Sequence, residues 1–549
     1  APLAEIPDEL SAVVLHSMAR RREDRYPEVG ALKADVESFL SLHPLSIGRY
    51  GPGRRLLKWI RRNRAVSAVA AVAAAAILLL TAFFVWRLEL RRREAGEGWD
   101  AEEMLRRRVE ADSLRSADLV RLRQIRRWAD EKLWPALPDR VLDMETWIVE
   151  AEELLGRLGL HRKSLEEARR PAVGRDPANG EWLFARPEER WTHDSLLELV
   201  GGLEALEGGE LPAVRARVAE ALRIGRIQAE SASLWEEAAA AIADPERTPA
   251  YGGLRIRPQT GLLPLGPDPD SGLWEFAHLA SGPVPDRHPE TRRLRGGIDM
   301  GIVLVLIPGG SFEMGSHEPA PISDERPLRR VALDPFFLSK FEMTQAQWLR
   351  VTGSNPSRSL PGESHAGKTV DLSHPVENAT WEEFDRTLAR IGLLLPTEAQ
   401  WEYGARGGTT TVWWTGDDPR TIAGAANVAD AAARRAKGPR SWNFEDWLDD
   451  GYAVHAPAGT YRPNPFGLHE VIGNVWEWCR DIKTGYAEAP PGPGDGERRP
   501  EPAPAVQLRV HRGGGFAGPA IAARSATRSC DTPSYKAMIL GARPSRRIE

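Results

Sequence analysis

At 549 residues the chain exceeds what one hydrophobic core supports, so several domains are expected. A formal charge of -5 with 28% charged residues carries no global basic excess and excludes a general nucleic-acid binder. Two cysteines, Cys479 and Cys530, exclude a disulfide framework, a four-thiolate zinc site and a C-x-x-C redox motif, and leave open one disulfide between them.

The first segment, 1–44, holds IPDELSAVVLHSMARRREDRYPEVGALKADVESFL from Ile6 to Leu40, which reads as two amphipathic helices around a basic turn at Arg20 to Tyr26. A generic helical hairpin accounts for it. It also resembles the C-terminal tail of a bacterial receptor-type Ser/Thr protein kinase, departing from that pattern at Arg21 and Arg22. The resemblance implies a buried ion pair for Arg25 and a signalling protein of which this chain is a piece, begun inside a kinase domain. No kinase Gly-rich loop, V-A-I-K lysine, H-R-D or D-F-G occurs in the sequence, so the chain itself is not expected to phosphorylate anything.

Residues 45–64 are a basic juxtamembrane stretch, and 65–86 read AVSAVAAVAAAAILLLTAFFVW without a charge. A helix of that length covers roughly 33 Å, enough for a bilayer core. The expectation is a transmembrane helix, with a buried Ala-rich helix and an uncleaved signal peptide as the alternatives. The arginines before Ala65, against the acids that dilute Arg91 to Arg93 after Trp86, place the N-terminus in the cytoplasm. The predicted location is a single pass through a bacterial cytoplasmic membrane, with the C-terminal part extracytoplasmic.

Over 87–245 apolar residues recur at helical spacing, with Val141, Met144, Trp147, Ile148, Ala151, Leu154, Leu155 and Leu158 on one face. Pro135, Pro138 and the Gly201–Gly202 and Gly208–Gly209 pairs cut the run into three or four helices. A helical stalk or bundle is predicted, and a stalk of this kind allows a homodimer. Short apolar runs between turns over 246–296 predict a small β connector.

From 297 to 549 the motifs become specific: VLVLIPGGSFEMGS, DERPLRRVALDPFFLSKFEMTQAQWLRV, HPVENATWEEF, LLLPTEAQWEYGARGG, NPFGLHEVIGNVWEWCRD and HRGGGF, in that order. On the residues alone, LPTEAQWEYGARGG is a Pro-started helix closed by Gly407 and Gly408, with Glu398 and Glu402 outward. GNVWEW holds Glu477 beside an aromatic pair, where a carboxylate needs a partner. The blocks resemble the formylglycine-generating-enzyme (sulfatase-modifying-factor) family, which implies an α+β C-type-lectin-like fold. The expected fold class is therefore multidomain: helical stub, transmembrane helix, helical stalk and C-terminal α+β domain.

The resemblance implies two calcium sites of hard oxygen ligands. One would use Asn427, the carbonyl of Val428, Asp450 and the carbonyl of Tyr452. The other would use Glu470, the carbonyls of Gly473 and Val475, and Glu477. The alternative is that these acids only cap turns. Active members of the family bind copper(I) through two cysteines after the HRGGGF block, but AGPAIAARSATRSCDTPSYKAM has none from Ala517 to Ala523. Copper and formylglycine-generating activity are accordingly not expected, because one thiolate makes a poor copper(I) site. The domain is expected instead to bind an extracytoplasmic ligand or protein on the loop face from Gly513 to Met538, through Phe516, Arg524, Arg528, Cys530, Asp531 and Tyr535. A sulfatase-modifying oxidoreductase acting on exported proteins and a structural part of a surface assembly are the rival readings.

Overall fold

The structure is a computed structural model and describes residues 7–41, 44–47, 51–53, 57, 60, 77–88, 99–295, 297–316 and 323–549. The chain divides into two compact units, Ala1–Ser116 and Ala117–Glu549.

In the first unit the helices Asp8–Ser17 and Val29–Leu40 form the expected pair. The Tyr26 hydroxyl donates to Asp35 at 2.8 Å, and Asp35 also accepts from the amide and hydroxyl of Ser46. Arg25 donates its Nε to the carbonyl of Ala19. Residues 77–88 are helical, while 61–76, most of the apolar stretch, lie outside the described residues. Among the described residues no helix is long and apolar enough to cross a membrane. That finding overturns the expected transmembrane helix, the fold class built around it and the single-pass location. The longest helix, Trp99–Lys132, fails on composition, since its arginines and acids recur on every turn.

The second unit begins with a helical bundle. The end of Trp99–Lys132 packs with Val141–Leu155, Leu158–Arg169, Pro187–Ala205 and Leu211–Glu230 around Leu122, Ile125, Met144, Trp147, Leu154, Leu199 and Leu203. The stripe of 141–158 faces this core. A short hairpin, β1 (Ala172–Arg175) with β2 (Trp182–Phe184), decorates the bundle, and the helix Ala232–Ala243 leads out of it.

The remaining strands are β3 (Leu262–Pro267), β4 (Trp274–His278), β5 (Val303–Ile307), β6 (Gly310–Met314), β7 (Arg329–Leu333) and β8 (Phe336–Ser339). They are followed by β9 (Ser364–His365), β10 (Lys368–Thr369), β11 (Trp476–Ile482), β12 (Arg509–Arg512), β13 (Arg528–Asp531), β14 (Leu540–Gly541) and β15 (Ser545–Arg547). One sheet runs β15-β8-β5-β4-β3 and a second β13-β12-β11-β14. The strands of 246–296 therefore continue the sheet of the C-terminal domain, β4 pairing with β5 through Glu275–Val305 and Phe276–Leu304. Electrostatics reinforce the join, because Lys340 lies 2.7 Å from Glu275 and 3.1 Å from Asp268, all three buried.

Three helices of this domain start on a threonine that caps its own first turn. Thr344, Thr380 and Thr397 each accept from the amide three residues on, and Gln347, Glu383 and Gln400 reach back to the cap amide. Gly407 ends the third helix, Glu398–Arg406, in a left-handed conformation at φ 56°.

Candidate functional site

The helix Glu398–Arg406 is buried along its whole length. The expectation that Glu398 and Glu402 face outward is thereby corrected: both are fully buried, and each is neutralised by arginines from the strands beside it. Arg528 chelates Glu398 at 2.5 and 2.7 Å, and Arg512 binds Glu402 while its Nε lies 3.2 Å from Glu398. Arg406, one turn on, donates to Glu402 at 2.9 Å and to the carbonyls of Gly315 and Thr411. Burial alone pushes the Glu398 carboxyl up, but Arg528, Arg512 and Arg498 outweigh it and hold it at about 2. The network fixes the floor beneath the segment that follows Gly513.

Of the six residues expected on the binding face, three lie inside. The Phe516 ring packs against Trp442 and His455. Arg524 chelates Glu325 at 2.8 and 2.7 Å, and Arg528 is committed to Glu398. Tyr535 is exposed, as are its neighbours Thr532, Ser534 and Lys536, whereas Cys530 and Asp531 are half-buried and Asp531 sits 3.1 Å from His511. The surface offered by the segment is thus centred on Tyr535, with Ile521 exposed on the turn Ala520–Ala523.

Both cysteines are free. Cys479 stands on β11 and Cys530 on β13, with β12 between them; Cys530 is opposite Val510. Two strand spacings set their backbones about 10 Å apart, beyond the Cα separation a disulfide bridges. Burial pushes both thiols up, so neither is an activated thiolate.

Of the residues expected to hold calcium, Asp450 meets Val428 and Tyr452 through their amides rather than their carbonyls. The Asp450 carboxylate accepts the amides of Val428 at 3.0 Å and Tyr452 at 2.9 Å. Asn427 donates its side-chain N–H to Val454 and Asn474, and its buried Oδ1 has no partner. Burial and the neighbouring Asp430 push Asp450 up to about 8. In the second set Glu470 accepts the amides of Gly459 and Tyr461, and Glu477 is gripped by Arg543 at 2.7 and 3.0 Å and by the Trp401 indole at 2.6 Å. Val475 contributes its amide to Glu342, a carboxylate the motif reading missed although it stands in the quoted FEMTQ block. Three buried carboxylates, Glu342, Glu470 and Glu477, thus share one guanidinium, Arg543. Burial and mutual repulsion push Glu342 up, and Glu470 goes to about 7. Among the described residues no three His, Cys, Asp or Glu side chains converge as a metal cage.

The histidines show no H-x-x-x-H or H-E-x-x-H spacing in the sequence. His374 and His455, 81 residues apart, in fact meet at 3.0 Å through their Nδ1 atoms, and Glu377 lies 4.0 Å from His455 Nε2. Burial pushes His455 down to about 3. No periodicity signals such a pair, since each residue sits in an irregular segment.

The buried acid–arginine floor, the Gly-rich turns and the two small sheets occur together over one continuous stretch. Residues 300–548 match the family described as the Sulfatase-modifying factor enzyme 1-like domain. Among relatives of this sulfatase-modifying-factor-type domain, a formylglycine-generating enzyme of Thermomonospora curvata is 28% identical over 288 residues, covering 44% of this chain and 92% of that protein. The serine/threonine-protein kinase pkn1 of Chlamydia pneumoniae is 31% identical over 35% of this chain, but only 30% of the kinase is covered. A Bos taurus protein described as inactive C-alpha-formylglycine-generating enzyme 2 is 26% identical, with 32% of this chain and 69% of that protein covered. The sulfatase-modifying-factor-type domain is thus secure, whereas its joining to a kinase tail through a membrane helix finds no support.

Proposed function

We propose that the sulfatase-modifying-factor-type domain is a binding module that has lost the oxidase chemistry of its relatives. The observation that carries the reading is the placement of its only two cysteines on strands β11 and β13 with a strand between them. A copper(I) centre needs two soft ligands held together, and these two are about 10 Å apart. The segment Ala517–Ala523 supplies none, and it packs tightly on the Gly-rich turn, where a Cβ on Gly514 would stand 2.7 Å from that of Ala523. What the domain retains is a rigid floor under an exposed segment, the arrangement that suits recognition by loops. The Bos taurus relative described as inactive agrees with a family in which the scaffold outlives the activity.

The test is turnover. The full chain, with and without copper, should leave the cysteine of a sulfatase-type peptide unconverted by mass spectrometry. Formylglycine that survives Cys530→Ala would overturn the reading, and so would formylglycine that disappears with it.

Calcium belongs to the same proposal. The support is chemical: oxygen donors throughout, the unpartnered Oδ1 of Asn427, three buried carboxylates around the one guanidinium of Arg543, and Asp450 set beside Asp430, a crowding of acids that a cation would relieve. Asn427 and Asp450 would hold one ion, and Glu470 and Glu477, with Glu342 beside them, the other; bound there it would supply only charge neutralisation. Binding to the native state alone raises the melting temperature by mass action. A melting curve unmoved between chelator and millimolar calcium would sink both sites.

A further inference from the structure

Outside residues 300–548, a groove of about 440 Å³ opens between the helix Ala232–Ala243 and the β3–β4 hairpin. Its floor is apolar, made by Leu234, Ala241, Pro264 and Trp274. Its rim carries two guanidiniums, Arg247 and Arg292, both exposed. Among the described residues neither forms an ion pair. Trp274 is 5% exposed, and its indole N–H has no acceptor in the protein. The Trp274 ring thus forms a fixed part of the groove wall, and the two guanidiniums are charged groups that the rim leaves without a partner among the described residues.

The rim is also preset. Arg292 is held in the left-handed region at φ 59°, where its amide donates to His288 and its carbonyl accepts from Arg287. Such a conformation disfavours a branched or long side chain, and it persists because the hairpin turn His288–Arg293 is closed from both ends. Strain of this kind collects at sites that must present a group in one place.

We propose that this groove is a binding site for a small organic carboxylate with a flat apolar body. The body would lie on Pro264 and Trp274, and the carboxylate would be taken by Arg247 and Arg292. Guanidiniums favour a carboxylate because their donors match its two oxygens, and the volume falls in the range of small-molecule pockets. Glu237, the acid on the same rim, selects against a second negative charge.

Titration calorimetry on the full chain with phenylacetate tests it. Saturable binding is expected, about tenfold tighter than that of phenylacetamide, which has the same shape without the charge. Arg247→Gln with Arg292→Gln should weaken phenylacetate by about tenfold while leaving the melting temperature unchanged, since both side chains are exposed. Trp274→Phe, which keeps an aromatic floor and removes the donor, should remove the one indole N–H resonance that moves on titration. Absence of saturable binding into the millimolar range, equal affinity for the amide, or an unchanged affinity in the double arginine variant would each overturn the proposal.

Discussion

Arg512→Met should destabilise the second unit by about 3–5 kcal/mol, the usual cost of removing one partner from a buried charge pair. Arg512 is fully buried on β12, and its guanidinium serves four groups: Glu402, Glu398, and the carbonyls of Ser525 and Thr527. Methionine fills much of the same volume, so the loss comes from stranded charge and orphaned carbonyls rather than from a cavity. The effect should show as a shift of the denaturant midpoint at constant slope. Glu402→Gln added to Arg512→Met should recover part of the loss, because it removes the charge that the first substitution left to Arg406 alone. A loss under about 1 kcal/mol, the size of an ordinary surface change, would show that the network is not what holds the floor.

Gly473→Ala is expected to be equally damaging by a steric route. Gly473 sits at φ 79°, and a Cβ built on it would lie 1.8 Å from the carbonyl oxygen of Asn427, an atom of backbone that cannot swing away. That carbonyl is engaged by the amide of Asn474, and the two segments form a bridge at Asn427–Gly473. Gly408→Ala is the control, since Gly408 is also left-handed, at φ 88°, but has open space where the Cβ would go. The control should lose about 1–2 kcal/mol, the conformational cost alone, while Gly473→Ala should fail to give a cooperative thermal transition. Equal melting temperatures for the two variants would refute the steric argument.

The helix starts of the C-terminal domain were legible because they are local. Thr397 with Gln400 three residues on and Gly407 at the far end are signals carried within a dozen positions. The inward turn of Glu398 and Glu402 was not legible, because their partners Arg528 and Arg512 are 130 and 110 residues away in sequence. A charged pair on a short helix normally reads as its wet face, and only the strand order that brings β12 and β13 alongside reverses that. The calcium sets were assembled from the motif resemblance, which named the carbonyls of Val428 and Tyr452, whereas it is their amides that meet Asp450. Glu342 was overlooked since its link to Val475 spans 133 residues of sequence. The apolar stretch 65–86 shows the opposite error, where composition spoke clearly and no helix among the described residues can cross a membrane.

The pairing of β4 with β5 separates two boundaries that are usually taken as one. The family match begins at residue 300, yet a chain cut there would leave the Val303–Ile307 strand with a bare row of amides and carbonyls, a template for self-association. It would also leave Lys340 buried without Asp268 and Glu275. At the other end the backbone of Glu549 exchanges hydrogen bonds with Gln259 and accepts from Arg257, so the last residue is tied to a segment 290 positions earlier. Ancestry and cooperativity therefore divide this molecule differently: the inherited module starts at 300, while the stretch that must melt as one reaches back at least to the strands and turn of 257–278.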